Sequence, residues 1–165
     1  GRRVGPGVVG ELVVRGPNVM QGYWELPEET GSVLRPGPWP GERVLYTGDL
    51  FRTDEEGYLS FVGRKDDLIK SRGEKVSPRE VENALYDHPA VAEAAVIGVP
   101  DAVLGQAIRA IVALKAGRQA TPQELLRHCA GRLEDFMVPQ SIELCESLPK
   151  SANGKIDKRQ LSGVK

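Results

Sequence analysis

Lys155 stands in the stretch KSANGKIDKR, residues 150 to 159, directly after Asn153 and Gly154. An Asn-Gly pair favours a sharp turn, because both residue types tolerate turn conformations that others avoid. The ammonium of a lysine behind such a turn is a compact point charge with three donors, suited to a phosphate or a carboxylate. The alternative is an ordinary solvated lysine, which is the usual state of this residue type.

Two segments of the chain concentrate positive charge, although the net charge of the 165 residues is only −1. Residues 150–165 carry five cations against Asp157. Residues 64–79 carry six cations, Arg64, Lys65, Lys70, Arg72, Lys75 and Arg79, against three acidic residues. Two locally positive segments in a nearly neutral chain fit a phosphate-bearing small molecule or a modest nucleic-acid surface.

The composition excludes several classes of protein. Hydrophobic residues make up 40% and charged residues 27%, values typical of globular proteins rather than disordered chains. The longest apolar stretch, residues 91–99, is interrupted by Glu93 and is too short to cross a bilayer. Cys129 and Cys145 have neither CxxC spacing nor clustered histidines nearby, which argues against a disulfide framework or a metal site. With no signal peptide pattern, we expect reduced thiols and a cytoplasmic protein.

The spacing of apolar residues changes near residue 65. Residues 1–65 predict an all-β subdomain, with a strand at ELVV, a loop over residues 31–44 and two strands joined by the turn TDEEG. Residues 66–165 predict helices alternating with strands. The helix of residues 78 to 87 has a capping box at Ser77 and Glu80, and a second box lies at Thr121 and Glu124. Strands are predicted at residues 91–99, 106–114 and 141–145.

These elements predict an α+β fold. A small all-β subdomain, residues 1–65, precedes a compact C-terminal domain, residues 66–165, which has a short antiparallel sheet flanked by helices. The polar residues Lys65, Asp66 and Asp67 lie between the two parts and are interpreted as a linker.

Five sequence blocks occur in a fixed order: GELVVRGPNVMQGYW, YTGDL, GRKDDLIKSRGEKVSPREVE, LEDFMVP and SANGKIDK. Together they resemble the C-terminal portion of the adenylate-forming superfamily, which includes acyl-CoA synthetases, nonribosomal peptide adenylation domains and luciferases. The resemblance implies activation of a carboxylic acid with ATP to an acyl-adenylate and pyrophosphate, followed by acyl transfer to a thiol. The blocks look most like acyl-CoA ligases, which implies coenzyme A as acceptor and a fatty or aryl acid as substrate.

The resemblance also implies roles for individual residues. Asp49 matches a carboxylate that accepts hydrogen bonds from both ribose hydroxyls of the nucleotide, and Arg64 matches a second ribose contact. Lys155 matches the catalytic lysine that reaches the carboxylate and the α-phosphate during adenylation. Asp66 matches the hinge about which the C-terminal domain swings between the two half-reactions.

Three further residues belong by resemblance to the second half-reaction. Gly73 matches a glycine that lines the pantetheine tunnel, with an ordinary turn glycine as the alternative. Lys75 is placed near the phosphates of coenzyme A, and Lys70 matches a position that approaches the site in some members of the family. A solvated strand lysine is the alternative for Lys70.

Motifs for the phosphate loop, the adenine site and the acyl pocket do not occur in the sequence. The resemblance assigns them to a large N-terminal domain, so we expect this chain to be an inactive fragment by itself, with Mg²⁺ held by the ATP phosphates and that domain. The main alternative is an acyl-AMP ligase that loads a carrier-protein phosphopantetheine. A small basic module that binds nucleic acid or acidic protein is disfavoured, because aromatic residues do not alternate with the cations, and no membrane partner is expected.

Overall fold

The strands form two separate sheets, one on each side of the boundary between Asp66 and Asp67. The computed structural model describes residues 2–161, and the chain divides at that boundary into two parts that we call the first and the second unit. Helices and strands occur together, which confirms the predicted α+β class.

The first unit is an antiparallel sheet built around one long strand, β3, which pairs with all the other strands of the unit. The turn TDEEG joins β3 to β4, and Asp54 Oδ1 accepts the backbone N–H groups of Glu56 and Tyr58 there. The predicted hairpin is therefore present. The elements of the first unit are β1 (Val9–Arg15), α1 (Pro27–Val33), β2 (Leu34–Pro36), β3 (Arg43–Thr53) and β4 (Leu59–Arg64).

The short helix α1 and the strand β2 correct the all-β prediction for residues 1–65 and the loop prediction for residues 31–44. Pro27 occupies the start of the helix, where its missing N–H costs nothing and its fixed φ is favourable. Glu28 and Glu29 in the first turn complement the helix dipole. These start signals lie just before the proline- and glycine-rich segment that indicated a loop.

The second unit contains a five-stranded sheet with helices α2 and α3 against one face. The strands follow the order β6-β5-β8-β7, and β9 also pairs with β8. The elements of the second unit are β5 (Ile69–Ser71), β6 (Glu74–Val76), α2 (Pro78–Tyr86), β7 (Val91–Asp101), β8 (Gly105–Leu114), α3 (Pro122–Ala130), β9 (Ser141–Cys145) and α4 (Lys158–Leu161).

Strand β9 runs parallel to β8, so the sheet is mixed and the predicted antiparallel arrangement holds only for its other pairs. The chain leaves β8, forms α3 and returns as β9, and a crossover through a helix joins parallel strands. The residues of SIELC predict the strand correctly, but nothing in them fixes its direction.

Strand β7 separates two apolar clusters, because successive side chains point to opposite faces of a sheet. Ala94 and Val96 belong to the larger cluster, which packs beneath α2 and α3. Ala95 and Ile97 belong to the smaller cluster, to which the C-terminal segment contributes Leu148, Ile156 and Leu161. The segment that carries Lys155 therefore packs on the face opposite α2 and α3.

Candidate functional site

Asp49 and Arg64 form an ion pair on adjacent strands of the first unit. They lie directly opposite each other on β3 and β4, and Arg64 Nη1 is 3.2 Å from Asp49 Oδ1. The Asp49 side chain is 32% exposed and that of Arg64 is 51% exposed, so both reach solvent. Arg64 Nη2 also donates to the carbonyl of Thr47 at 3.3 Å, which orients the guanidinium.

A β-bulge brings this pair together. The pairs Thr53↔Leu59 and Phe51↔Phe61 follow the regular register of the hairpin, which would place Asp49 opposite Gly63. The register shifts between Leu50 and Phe51, and Arg64 becomes the partner of Asp49 instead. Bulges are a common means of re-aiming a side chain near a functional site.

Gly48 makes the close approach of Arg64 possible. Its φ is 73°, a conformation that side chains disfavour. A Cβ atom at this position would lie 3.1 Å from Arg64 Nη2. A glycine at position 48 within β3 is thus favoured by the close approach of Arg64 as well as by its own backbone conformation.

Glu11 is a member of this cluster that the sequence interpretation missed. Its Oε1 accepts the N–H of Gly48 at 3.2 Å, and its Oε2 lies 3.1 Å from Lys65 Nζ. A charged residue inside the apolar run GELVV is the signal that could have identified it, because such a residue in a strand needs a partner.

Asp66 is exposed and lies in the 3-10 turn of Lys65–Asp67 that follows β4. No apolar cluster includes the three residues of this turn. A change of φ or ψ at Asp66 would therefore leave the described core of either unit intact.

The hairpin of β5 and β6, residues 69–76, presents Lys70 and Lys75 directly opposite each other. Arg72 and Gly73 form its two-residue turn, with φ values of 54° and 82°. Positive φ at both central residues identifies a type I′ turn, which suits the twist of two antiparallel strands. A Cβ at Gly73 would meet no atom within 4 Å, so the turn alone explains this glycine within the second unit.

Two contacts hold the β5–β6 hairpin to the segment around β8. The N–H of Arg72 donates to the carbonyl of Leu104 at 3.0 Å, and the N–H of Lys70 donates to Gln106 Oε1 at 2.7 Å. Like charges directly opposite each other destabilise a strand pair. Repulsion between the exposed lysines Lys70 and Lys75 therefore destabilises the hairpin. Together the two lysines form a positive surface.

Lys155 lies in a second hairpin, residues 149–157, which we call the Lys155 hairpin. Lys150 and Ile156 form its antiparallel bridge, and the N–H of Ser151 donates to the carbonyl of Lys155 at 2.8 Å. The N–H of Gly154 closes the turn on the carbonyl of Ser151 at 2.9 Å, and the φ of Gly154 is 75°. The backbone of Lys155 is thus fixed while its side chain is exposed.

Neither cysteine is suited to nucleophilic chemistry. Burial raises the pKa of Cys129 to about 11. Burial also raises the pKa of Cys145, and the nearby carboxylates of Glu143 and Glu93 act in the same direction. Both thiols are free and protonated at neutral pH. Within residues 2–161, no group of three His, Cys, Asp or Glu side chains has a geometry that could hold a metal ion.

The helices are all short, and none within the described part of the chain combines the length and apolar character that a bilayer crossing requires.

Residues 80–155 match the family model of the AMP-binding enzyme C-terminal domain. The chain is 47% identical over 152 residues to a long-chain-fatty-acid–CoA ligase of Bacillus subtilis, an alignment that covers 92% of this chain and 26% of that protein. It is 44% identical over 161 residues to a feruloyl-CoA synthase of an Amycolatopsis species, covering 98% of this chain and 32% of the relative.

The structure is similar to the crystal structure of ATP-bound MatB from Rhodopseudomonas palustris. The TM-score is 0.87 at 36% identity, over 98% of this chain and 31% of that one. The chain thus spans between a quarter and a third of the length of the relatives it matches.

Proposed function

We propose that the chain, whose residues 80–155 match the C-terminal domain of the AMP-binding enzymes, acts as the C-terminal part of an AMP-forming acid–thiol ligase. Such a ligase activates a carboxylic acid with ATP, releases pyrophosphate and passes the acyl group to coenzyme A. The observation that carries this proposal is the exposed Lys155 on its closed hairpin, at the last residue of the matched range. A cytoplasmic location is part of the proposal.

Asp49 and Arg64 form the nucleotide-binding part of the proposed function. Two acceptor oxygens on one carboxylate suit the vicinal hydroxyls of a ribose. Arg64 holds Asp49 through Oδ1 and presents a planar set of further donors. Their partial exposure on neighbouring strands supports a role in contacting a nucleotide rather than in packing the sheet.

Lys155 is proposed to act during adenylation. When the substrate carboxylate attacks the α-phosphate and pyrophosphate leaves, negative charge accumulates at the reacting oxygens. An ammonium already held there stabilises that charge without reorganisation at the moment of reaction. We propose that Mg²⁺ is held by the ATP phosphates and by protein that lies outside this chain.

The second half-reaction is assigned to the β5–β6 hairpin. Lys75, with Lys70 beside it across the strands, is proposed to contact the phosphates of coenzyme A, and Gly73 to border the path of the pantetheine arm. Asp66 is proposed as the hinge that exchanges this hairpin for the Lys155 hairpin. Exposure of Asp66 in a short turn between the units supports that role.

Similarity to a long-chain-fatty-acid–CoA ligase and to a feruloyl-CoA synthase favours coenzyme A over a carrier protein as acceptor, and fatty or aryl acids as substrates. The test is acid-dependent exchange of pyrophosphate into ATP by the full-length ligase with a panel of fatty and aryl acids. Thioester formation is then measured with coenzyme A and with a phosphopantetheinylated carrier protein. We expect acid-dependent exchange and transfer to coenzyme A. If no acid supports exchange, the proposed function is wrong, and transfer to the carrier protein alone would favour the alternative ligase.

Arg64→Ala tests the nucleotide assignment within the same assay. Loss of a charged hydrogen-bonding group costs about 1.5–3 kcal/mol, so the KM for ATP should rise by roughly ten- to a hundredfold. Arg52→Ala is a matched control, because Arg52 is an exposed arginine on the same strand as Asp49. An unchanged KM for ATP in Arg64→Ala would remove this residue from the nucleotide site.

A further inference from the structure

Two ion pairs fasten the Lys155 hairpin to the body of the second unit. At the start of the hairpin, Lys150 Nζ lies 2.6 Å from Glu93 Oε1. Just beyond its end, Lys158 Nζ lies 2.6 Å from Glu82 Oε1. The exposed ammonium of Lys155 is thus bracketed by two others that are engaged with carboxylates.

The carboxylates are the enclosed members of these pairs. The side chain of Glu82 is 15% exposed and that of Glu93 is 28% exposed, against 35% for Lys158 and 51% for Lys150. Glu82 Oε1 also accepts the N–H of Val96 at 2.9 Å, at the edge of strand β7. Enclosure and a second hydrogen bond fix this carboxylate, so it forms a defined anchor point for a flexible lysine.

Glu93 has a similar anchoring environment on β7. The hydrogen bond from Lys150 lowers its pKa below the ordinary value, and the backbone N–H of Leu148 acts in the same direction against the effect of burial. The carboxylate is therefore ionised at neutral pH, and both of its hydrogen-bond donors come from the segment that leads into the hairpin.

Apolar side chains also hold the Lys155 hairpin and its flanking residues against the sheet. Leu148 and Leu161 are buried, and Ile156 packs against the same cluster beneath β7. Ile156 directly follows Lys155 and is partly buried against this cluster, whereas Lys155 is exposed, so the apolar contact lies immediately beside the outward-facing ammonium. Apolar contacts alone tolerate sliding, whereas the two ion pairs define the position of the hairpin along β7.

We propose that Glu93 and Glu82 are positioning residues for Lys155, acting through Lys150 and Lys158. This inference rests on the proposed function, because it concerns where the ammonium stands when the acid is adenylated. A charge that stabilises a transition state must be held within a fraction of an ångström of its productive place. A lysine side chain is flexible, so the accuracy of its position depends on a fixed backbone.

The test uses Glu93→Gln, Glu82→Gln and Lys150→Glu in the full-length ligase, together with the swapped double variant Glu93→Lys/Lys150→Glu. Misplacement by about an ångström can cost up to about a hundredfold in rate. We expect the single variants to lower kcat of adenylation by about ten- to a hundredfold with KM for ATP unchanged. Thioester formation from supplied acyl-adenylate should keep its rate, and the swap should restore most of the lost kcat.

Glu124→Ala separates positioning from general destabilisation. Glu124 completes the capping box of α3, so its substitution weakens the second unit without touching residues 148–161. We expect a lower midpoint of thermal unfolding but a normal adenylation rate. Equal loss of adenylation in Glu124→Ala and Glu93→Gln would overturn the positioning role, and so would a failure of the charge swap to restore the rate.

Lys155→Ala distinguishes failure of the positioning role from failure of the proposed function. If Lys155→Ala loses adenylation while Glu93→Gln and Glu82→Gln keep it, the positioning role is wrong and the proposed function stands. If Lys155→Ala also keeps the wild-type rate, both are wrong.

Discussion

The two hairpins of the second unit present lysines in different ways. The Lys155 hairpin presents the exposed ammonium of Lys155, while that of Lys150 is engaged with Glu93, and its backbone is closed by internal hydrogen bonds and flanked by two ion pairs. The β5–β6 hairpin offers two lysines opposite each other, and its turn is docked by backbone hydrogen bonds. The first arrangement defines one position accurately, whereas the second creates a broader positive surface.

The difference teaches which chemical task each hairpin suits. Stabilising a developing charge requires one group at one place, because a small misplacement removes much of the effect. Holding the phosphates of a mobile acceptor requires only a local positive potential. We therefore assign adenylation to the Lys155 hairpin and acceptor binding to the β5–β6 hairpin, and the predictions below test that division.

The largest expected effect is that of Lys155→Ala on adenylation. Removing one preorganised charge donor costs about a hundredfold or more in kcat. Acid-dependent pyrophosphate release by the full-length ligase measures it, and Lys165→Ala serves as a control for loss of a C-terminal lysine. Pyrophosphate release at the wild-type rate by Lys155→Ala would contradict the assignment of adenylation to the Lys155 hairpin.

The double variant Lys70→Ala/Lys75→Ala should have a smaller effect, on the acceptor side. Each exposed charge contributes up to about 1 kcal/mol, so the KM for coenzyme A should rise by roughly three- to tenfold while adenylation is unchanged. The rise should shrink at high salt, because salt screens exposed charges. A carrier-protein acceptor would show less dependence, since its arm has no nucleotide phosphates. A fall in adenylation without a change in this KM would contradict the assignment.

The turn glycines sharpen the comparison, because Gly73 and Gly154 have φ values of 82° and 75° and open space at a built Cβ. Alanine at a left-handed position costs about 1 kcal/mol, equivalent to roughly fivefold in a rate. We expect Gly154→Ala to slow adenylation and Gly73→Ala to slow acyl transfer. Single-turnover rates of the two half-reactions test this, and identical profiles for the two variants would argue against separate roles.

The smallest expected effect is the contribution of His88, which belongs to neither hairpin, to the pH dependence of the free energy of unfolding. Its ring packs edge-on against that of His128, with centroids 4.9 Å apart, and its Nδ1 accepts the N–H of Ala90. Burial lowers the pKa of His88; His128 and Arg132 add to this, and Glu124 opposes it. The His128 ring in turn donates through Nε2 to the carbonyl of Ala84 and accepts from Arg132 through Nδ1.

The sign of the pH dependence follows from the lowered pKa. As the pH falls below about 6.5, the unfolded chain binds a proton that the folded chain resists, so the free energy of unfolding decreases. Urea unfolding of the chain between pH 7.5 and 5.5 should show this decrease, and His88→Gln should reduce the slope. The contact between His88 and His128 joins α2 to α3 away from both hairpins. The loss of stability at low pH should therefore lower the rates of adenylation and of acyl transfer by the same factor. A slope unchanged by His88→Gln would contradict this account.

The sequence predicted local features better than long-range ones. Strands β7, β8 and β9 and the helix of residues 78–86 lie where the periodicity indicates, whereas the short strands β5 and β6 were not predicted. The capping box at Thr121 and Glu124 forms in full, whereas Ser77 makes no side-chain cap hydrogen bond although the spacing to Glu80 is the same. Cap geometry depends on how the preceding chain enters the helix, which spacing does not record.

In the candidate site, too, local features could be predicted from the sequence and long-range contacts could not. Asn153 and Gly154 indicate a turn before Lys155, and the turn is present. The ion pairs to Glu82 and Glu93 join residues far apart in the sequence, and only the packing of the C-terminal segment against β7 brings them together. The pairing of Asp49 with Arg64 likewise depends on a bulge that no residue type announces. The functional roles of these residues remain predictions.

The proposed alternation of the two hairpins requires a hinge at Asp66, and Asp66→Pro tests that proposal most directly. Proline fixes φ, so a hinge at this residue would be restricted, whereas Asp66→Ala keeps the backbone free. Single-turnover rates of adenylation and of acyl transfer are measured for both variants of the full-length ligase. We predict that Asp66→Pro slows acyl transfer by at least about tenfold more than adenylation and that Asp66→Ala alters neither. An unchanged ratio of the two rates in Asp66→Pro would contradict the account.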